Sequence, residues 1–166
     1  HGVRLQRGEA LWYRNRYVDT PVYREQSGGF GAPKMTDTTS AVSLIHHGGK
    51  LLSLGEFGFP YEMDPDDLST RGVFTYDGKL QGSMTAHPKI DPVTGEMLFF
   101  GYNVTEPYLT YMRADASGEL VQVEPIQTRA PSMMHDFAAT ENYVIFMELP
   151  IIFSWWLAVT GDGLPF

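Results

Sequence analysis

Two histidines in this 166-residue sequence lie in similar local settings. His87 follows Ser83–Ala86 and His135 follows Met133-Met134, and each precedes a turn and a run that is typical of a β-strand. A lone histidine is more often structural than functional, but imidazole is also the commonest metal ligand in proteins. If the fold brings these two rings together, the chemistry they predict is metal binding.

Composition narrows the chemistry that such a site could use. The chain has no cysteine, so disulfides, thiolate metal sites, iron–sulfur clusters and cysteine nucleophiles are excluded, and a metal would need His, Asp or Glu ligands. The balance of 20 acidic against 12 basic residues argues against a nucleic-acid partner, which needs a basic surface. A hydrophobic content of 43% suits one packed domain.

The elements that must position the histidines are predicted to be strands. Gly, Asp, Asn and Pro turn signals recur along the chain, and the short runs between them are rich in Val, Leu, Ile, Phe, Tyr and Thr. No stretch sustains a helical apolar period for more than a turn or two. This pattern predicts an all-β chain built from hairpins.

A repeat with a period in the forties gives these strands an architecture. The segment Gly49–Glu56 reappears 46 residues later as Gly95–Tyr102, and a weaker third copy follows at Asn142–Glu148. Such a period, made of strands only, is typical of four-stranded β-propeller blades. A β-sandwich whose periodicity is accidental is the alternative.

The repeat also relates the two histidines to each other. His87 lies eight residues before Gly95, and His135 lies seven residues before Asn142. Equal phase in a propeller means equal radial position on neighbouring blades, so the two imidazoles are predicted to converge near the central axis. Spacing along the chain alone would not suggest this pairing.

Among the other polar residues, Glu56 has two possible roles, and three more are interpreted as structural, surface or turn residues. Glu56 is either an exposed carboxylate at a strand end or an acceptor for the second ring N–H of a metal-bound histidine. Asp136 follows His135 directly and would point away from it on a strand, so we assign it a structural role. His46 and His47 flank a Gly-Gly turn and are interpreted as surface or turn residues.

The longest apolar run, Ile151–Val159, is about half as long as a membrane-spanning helix. Ile151 and Ile152 are interpreted as core, whereas the adjacent Trp155 and Trp156 fit either core or an exposed patch for lipid or an apolar substrate. The first and last residues enter and leave without a terminal signal. We therefore expect 1–166 to be a single partial domain of a longer protein, cut at both ends.

Six segments of the chain resemble one known family, the carotenoid cleavage oxygenases. They are His1–Leu5, Trp12–Arg16, Thr85–Glu96, Phe100–Tyr102, Pro107–Tyr111 and Met133–Glu141. The resemblance implies a seven-bladed propeller, of which this chain supplies roughly three blades. It also implies one Fe(II) per full-length chain, bound by four histidines. His87 and His135 match the first two ligands, and Glu56 matches a glutamate that supports the second.

The implied activity is cleavage of a conjugated C=C bond by O2 into two carbonyl products. Stilbene-cleaving members resemble this chain too, but they use a Lys and a Tyr to engage the substrate phenol. Gly55 and, more loosely, Phe30 occupy those positions here as substrate-binding residues, and neither can activate a phenol. This favours an apolar polyene, a carotenoid or apocarotenoid. The alternatives are a stilbenoid or phenylpropanoid dioxygenase, a propeller that binds apolar ligands without chemistry, and a redox-neutral isomerase.

For the whole protein we predict a cytoplasmic monomer, with peripheral membrane contact left open. Because two of the four ligands lie outside it, residues 1–166 alone should be inactive and bind iron weakly.

Overall fold

The computed structural model of the protein describes residues 1–25, 36 and 38–161. Most of the regular structure in these ranges is β-strand, as the turn and strand pattern predicted. The strands are β1 (Gly2–Gln6), β2 (Glu9–Arg14), β3 (Ser43–His47), β4 (Lys50–Leu54), β5 (Tyr61–Met63), β6 (Thr70–Val73), β7 (Lys89–Ile90), β8 (Met97–Tyr102), β9 (Leu109–Ala114), β10 (Leu120–Ile126), β11 (Phe137–Ala139) and β12 (Val144–Phe146). The helices are α1 (Pro21–Glu25) and α2 (Trp155–Thr160).

The strands form two four-stranded sheets and two hairpins. Strands β3 to β6 pair in chain order, as do β7 to β10, and every neighbouring pair is antiparallel. The two-stranded sheets are β1–β2 and β11–β12. Each four-stranded sheet is up-and-down, which is the form that a propeller blade takes. The all-β prediction is confirmed, because strands make up most of the regular structure. The counts of three blades here and seven in the ring stay predictions.

The sequence repeat corresponds to equivalent strands. Its three copies contain β4, β8 and β12, and each of these is the second strand of its sheet. In the second four-stranded sheet the Asp91 carboxylate closes the β7–β8 turn, because it accepts the backbone N–H of Val93 at 2.7 Å and of Thr94 at 3.1 Å. The repeat is therefore structural rather than accidental.

Strand β8 separates two apolar clusters and places its side chains alternately in each. Met97 and Phe99 pack into the cluster that β8 shares with the first four-stranded sheet. Phe100 and Tyr102 pack into a second cluster, together with Phe137 at the start of β11. Both faces of β8 are thus buried, which explains why its sequence reads as a continuous apolar run.

The structure places one of the two adjacent histidines differently from our expectation. His46 is exposed, as predicted for a residue beside a turn. His47 is only 7% exposed, and its Nε2 lies 3.0 Å from the carbonyl oxygen of Gly95, in the β7–β8 turn of the next sheet. The surface interpretation of His47 is wrong because this contact crosses between sheets, which a local sequence pattern does not indicate.

The segment after β12 contains the helix α2, which the strand pattern did not predict. The Ser154 hydroxyl accepts the N–H of Leu157 at the start of α2, and Gly161 ends the helix with a left-handed φ of 71°. Ile151 and Ile152 are 47% and 46% exposed, so their assignment to the core is wrong for the described residues. In residues 1–25, 36 and 38–161, no helix has the length and apolarity needed to cross a membrane.

Candidate metal centre

His87 is held at the end of a buried segment that runs between the two four-stranded sheets. Ser83–Ala86 is buried, and the N–H of Thr85 donates to the carbonyl of Phe100 on β8 at 2.9 Å. The hydroxyl of Ser83 donates to the carbonyl of Tyr102 at 2.9 Å. These contacts fix the backbone before His87, which lies two residues before β7 begins.

His135 occupies the same place in the next sheet. It lies two residues before β11 begins, after Met134, which is 2% exposed and packs in the second apolar cluster. The N–H of Met133 donates to the carbonyl of Ile151 at 2.9 Å, which ties this segment to the chain after β12. The equal phase read from the sequence is therefore an equal position in the fold.

The structure brings the two imidazoles together. His87 Nε2 lies 3.1 Å from His135 Nε2, and the ring centroids are 4.5 Å apart with an interplanar angle of 62°. The predicted convergence of residues 48 positions apart is thus a feature of the fold. His135 is exposed and His87 is half-buried, so the pair is reachable from solvent in this chain.

Glu56 completes the cluster from the end of β4. Its Oε1 lies 3.2 Å from His135 Nδ1, and one ligand atom from each of Glu56, His87 and His135 lies within 4.8 Å of the others. Of the two readings of Glu56, the structure therefore favours the acceptor for a histidine N–H. A neutral His135 that donates its Nδ1–H to this carboxylate presents the lone pair of Nε2 toward His87.

The donor geometry fits a shared transition-metal ion. With an Nε2–Nε2 separation of 3.1 Å, an ion about 2.1 Å from each nitrogen would bind them at an angle of about 95°, between the ideal octahedral and tetrahedral values. The same separation also allows one ring to donate an Nε2–H to the other. The two arrangements differ in the proton on Nε2. A metal ion requires both Nε2 atoms to be deprotonated, whereas the hydrogen bond requires one of them to carry a proton.

Sequence reasoning missed Tyr102, which contacts the same carboxylate. Its hydroxyl donates to Glu56 Oε1 at 3.1 Å, and burial together with the nearby Glu56 charge raises the pKa of this phenol. Tyr102 is neutral at physiological pH and acts as a hydrogen-bond donor. The signal that could have revealed it is the repeat itself, since Tyr102 occupies the position of Glu56 one period later.

Sequence reasoning also missed an ion pair that joins the two histidine segments through residues other than Glu56, His87 and His135. Lys89 Nζ lies 2.7 Å from Asp136 Oδ1, and the same oxygen accepts the N–H of Phe137 at 2.8 Å. Lys89 Nζ also lies 5.5 Å from the centroid of the Phe137 ring. The structural role predicted for Asp136 agrees with this pairing, which links the start of β7 to the start of β11.

Of the two residues predicted to bind substrate, the described part of the chain contains Gly55. Phe30 lies outside the described residues. Gly55 is buried, and a Cβ added there would overlap Thr38 Oγ1 and lie 3.3 Å from the backbone nitrogen of Ser40. Gly55 is therefore required for the close approach of the segment 38–40, whether or not it also lines a substrate path.

Comparison with known proteins identifies a family that matches the whole chain. The family model described as retinal pigment epithelial membrane protein matches residues 1–166. The carotenoid 9,10(9',10')-cleavage dioxygenase 1 of Arabidopsis thaliana is 40% identical over 92% of this chain. This chain spans 34% of the length of that relative.

Solved structures show the same fold. The Pseudomonas brassicacearum lignostilbene dioxygenase superposes with a TM-score of 0.81 at 36% identity, over 92% of this chain and 35% of that one. A Synechocystis apocarotenoid oxygenase variant superposes with a TM-score of 0.75 at 24% identity, over 90% of this chain and 37% of that one, and supports the propeller fold alone. Since the family model covers every residue, the chain belongs to the carotenoid cleavage oxygenase family, which that model describes under the name of the retinal pigment epithelial membrane protein.

Proposed function

We propose that the full-length protein is a non-haem iron(II) dioxygenase that cleaves a conjugated C=C bond of a carotenoid or apocarotenoid. The observation that carries this proposal is the convergence of His87 Nε2 and His135 Nε2, at 3.1 Å, with the Glu56 carboxylate behind His135. A chain without cysteine that brings two imidazoles and one carboxylate together has the ligand types for iron. Family membership supports iron over the other metals that imidazole binds.

Each residue of the cluster has a defined part in this proposal. His87 and His135 bind the ion through their Nε2 atoms, and Glu56 holds the Nδ1–H of His135, which fixes the tautomer and the ring orientation. Two further histidines outside this chain complete a set of four neutral ligands on one iron. Iron(II) would supply the redox chemistry of an oxidative cleavage in which one alkene and one O2 give two carbonyl groups.

The substrate preference rests on one position that has no group to activate a phenol. Gly55 has no side chain, so this position provides neither a cation nor a hydroxyl to activate a phenolic substrate. An apolar polyene needs no such group, because an apolar tunnel binds it by burial alone. We infer a carotenoid or apocarotenoid as the substrate class.

Product analysis of the iron-loaded full-length protein tests this preference. We expect an apocarotenal to be cleaved into two shorter carbonyl products, and a 4-hydroxystilbene to be cleaved at least tenfold more slowly. Both substrates are compared at equal concentration in the same detergent by chromatography and mass spectrometry. Cleavage of the hydroxystilbene with no cleavage of any carotenoid would contradict the preference.

The second candidate function is a stilbenoid dioxygenase, and the observation that favours it is the backbone match to the lignostilbene dioxygenase structure. The product analysis described above separates the two enzymes. Iron analysis separates both from a propeller that only binds apolar ligands, because such a protein would carry no stoichiometric iron. A redox-neutral isomerase would return the substrate carbon skeleton unbroken.

We also propose that the protein is a cytoplasmic monomer that contacts membranes peripherally through the segment around α2. In this chain Trp155, Trp156 and Val159 are 57%, 74% and 82% exposed, and they follow the exposed Ile151 and Ile152. Indole rings favour the membrane interface, and a lipid-soluble polyene would reach the protein from there.

Vesicle co-sedimentation tests this contact. Replacing Trp155 and Trp156 together by serine in the full-length protein should reduce the fraction bound to phosphatidylcholine vesicles roughly tenfold, since two large apolar surfaces no longer transfer into lipid. Tyr143→Ser, which changes an aromatic side chain that is 73% exposed outside this segment, is the control and should leave binding unchanged. Equal binding by all three proteins would refute the contact.

A further inference from the structure

Tyr102 is the last residue of β8. It is buried between the second apolar cluster and the group formed by Glu56, His87 and His135. It is 5% exposed, and its ring lies 4.9 Å from the Phe57 ring and 6.3 Å from the Phe100 ring, measured between centroids. Its hydroxyl nevertheless leaves the apolar surroundings and donates to Glu56 Oε1 at 3.1 Å. A phenylalanine would fill the same apolar space, so packing alone does not account for the hydroxyl.

The contacts of the Glu56 carboxylate make its orientation depend on this hydroxyl. Oε1 accepts from the Tyr102 hydroxyl and lies 3.2 Å from His135 Nδ1. Oε2 is buried and has no hydrogen-bond partner among the described residues. The Glu56 carboxylate is partly buried and is held through one oxygen only, and Tyr102 provides one of the two contacts at that oxygen.

Three successive contacts link the end of β8 to the two histidines. Tyr102 Oη contacts Glu56 Oε1, Glu56 Oε1 contacts His135 Nδ1, and His135 Nε2 faces His87 Nε2. Tyr102 and Glu56 occupy equivalent positions in successive repeats, 46 residues apart. The hydrogen bond between them therefore joins the equivalent positions of the two four-stranded sheets.

We propose that Tyr102 is a positioning residue that holds the Glu56 carboxylate toward His135 and thereby orients Nε2 of His135 for metal binding. This proposal rests on the proposed iron site. Tyr102 acts through Glu56 and does not itself contact the metal. Its loss lowers metal affinity because the carboxylate and the imidazole are no longer held in the binding orientation.

The test is the affinity of the metal-free full-length protein for Co²⁺, measured by titration against a competing chelator. Removing a hydrogen-bond partner of a ligating histidine typically costs about 10- to 100-fold in affinity, and Tyr102 acts one hydrogen bond further out. We expect Tyr102→Phe to raise the Co²⁺ dissociation constant roughly three- to tenfold. The thermal midpoint of the metal-free protein separates this effect from a general loss of stability.

Tyr76→Phe is the matched control. Tyr76 is another buried tyrosine, 4% exposed, and its hydroxyl has no hydrogen-bond partner among the described residues. This variant should bind Co²⁺ as the wild-type protein does. In a Glu56→Ala background, Tyr102→Phe should have no further effect on affinity.

The possible outcomes separate this proposal from the one it rests on. An unchanged affinity in Tyr102→Phe, an equal loss in Tyr76→Phe, or a full additional loss in the Glu56→Ala background would each overturn the positioning role while leaving the metal site in place. A wild-type full-length protein that binds neither Co²⁺ nor iron would overturn the proposed function itself. A selective loss in Tyr102→Phe supports both.

Discussion

Replacing His135 by alanine in the full-length protein is expected to reduce bound iron from about one ion per chain to a few per cent of that value. Structural zinc sites in zinc-finger peptides, which have four protein ligands, bind with roughly 10–16 kcal/mol. On that scale one ligand accounts for about a quarter of the binding free energy, or roughly a hundredfold to thousandfold in affinity. His87→Ala should have the same effect, because it removes the other of the two Nε2 atoms, which lie 3.1 Å apart. Iron is measured by elemental analysis after gel filtration.

His46→Ala is the matched control for these two variants. His46 belongs to β3 and is exposed, so it shares the residue type but not the cluster. Its replacement should leave the iron content at the wild-type level. Retention of full iron by His87→Ala or His135→Ala would show that other residues hold the ion.

The second large effect concerns the packing that positions His87. A Cβ on Gly101 would overlap the carbonyl oxygen of Ser83 and lie 2.9 Å from its carbonyl carbon. Gly101→Ala is therefore expected to destabilise the full-length protein by about 3 kcal/mol, seen as a lower urea midpoint. The two backbones cannot separate freely, because Thr85 donates to Phe100 beside this contact.

Gly82→Ala provides the comparison one residue before Ser83. A Cβ at Gly82 would meet no atom within 4 Å, so this variant should change stability by less than about 0.5 kcal/mol. The pair of variants thus distinguishes a close backbone approach from a general intolerance of side chains in this segment. If Gly101→Ala proved as stable as Gly82→Ala, β8 would not pack against the His87 segment as described.

The repeat was the most informative feature of the sequence. It predicted which strands are equivalent, and the equivalent phase of His87 and His135 predicted their convergence at 3.1 Å. Both succeed because a blade is a local unit: its hairpin turns and strand lengths are fixed by short-range chemistry, such as the Asp91 carboxylate in the β7–β8 turn. Copies of such a unit place equivalent residues in equivalent positions.

Contacts between sheets could not be predicted in the same way. The contact of His47 with Gly95, the bond of Tyr102 to Glu56 and the pair of Lys89 with Asp136 each join residues 46 to 48 positions apart. These separations are all close to one repeat, so the period shows that such residues can be neighbours. It does not show which side chains point toward each other, because that depends on how adjacent sheets pack and twist.

The exposed segment around α2 was predicted least well. Its apolar residues resemble a core strand in composition, yet Ile151 and Ile152 are nearly half exposed. An apolar composition indicates only that these side chains favour burial away from water. It does not report whether the apolar partner belongs to the same chain, to another part of a longer protein or to lipid.

The most direct test of the metal site is anomalous X-ray scattering at the iron edge from crystals of the full-length protein. We predict one peak, within about 2.3 Å of both His87 Nε2 and His135 Nε2, with Glu56 hydrogen-bonded to His135 Nδ1 behind it. A hydrogen bond between the two Nε2 atoms, with no anomalous peak between them in iron-supplied crystals, would contradict the account.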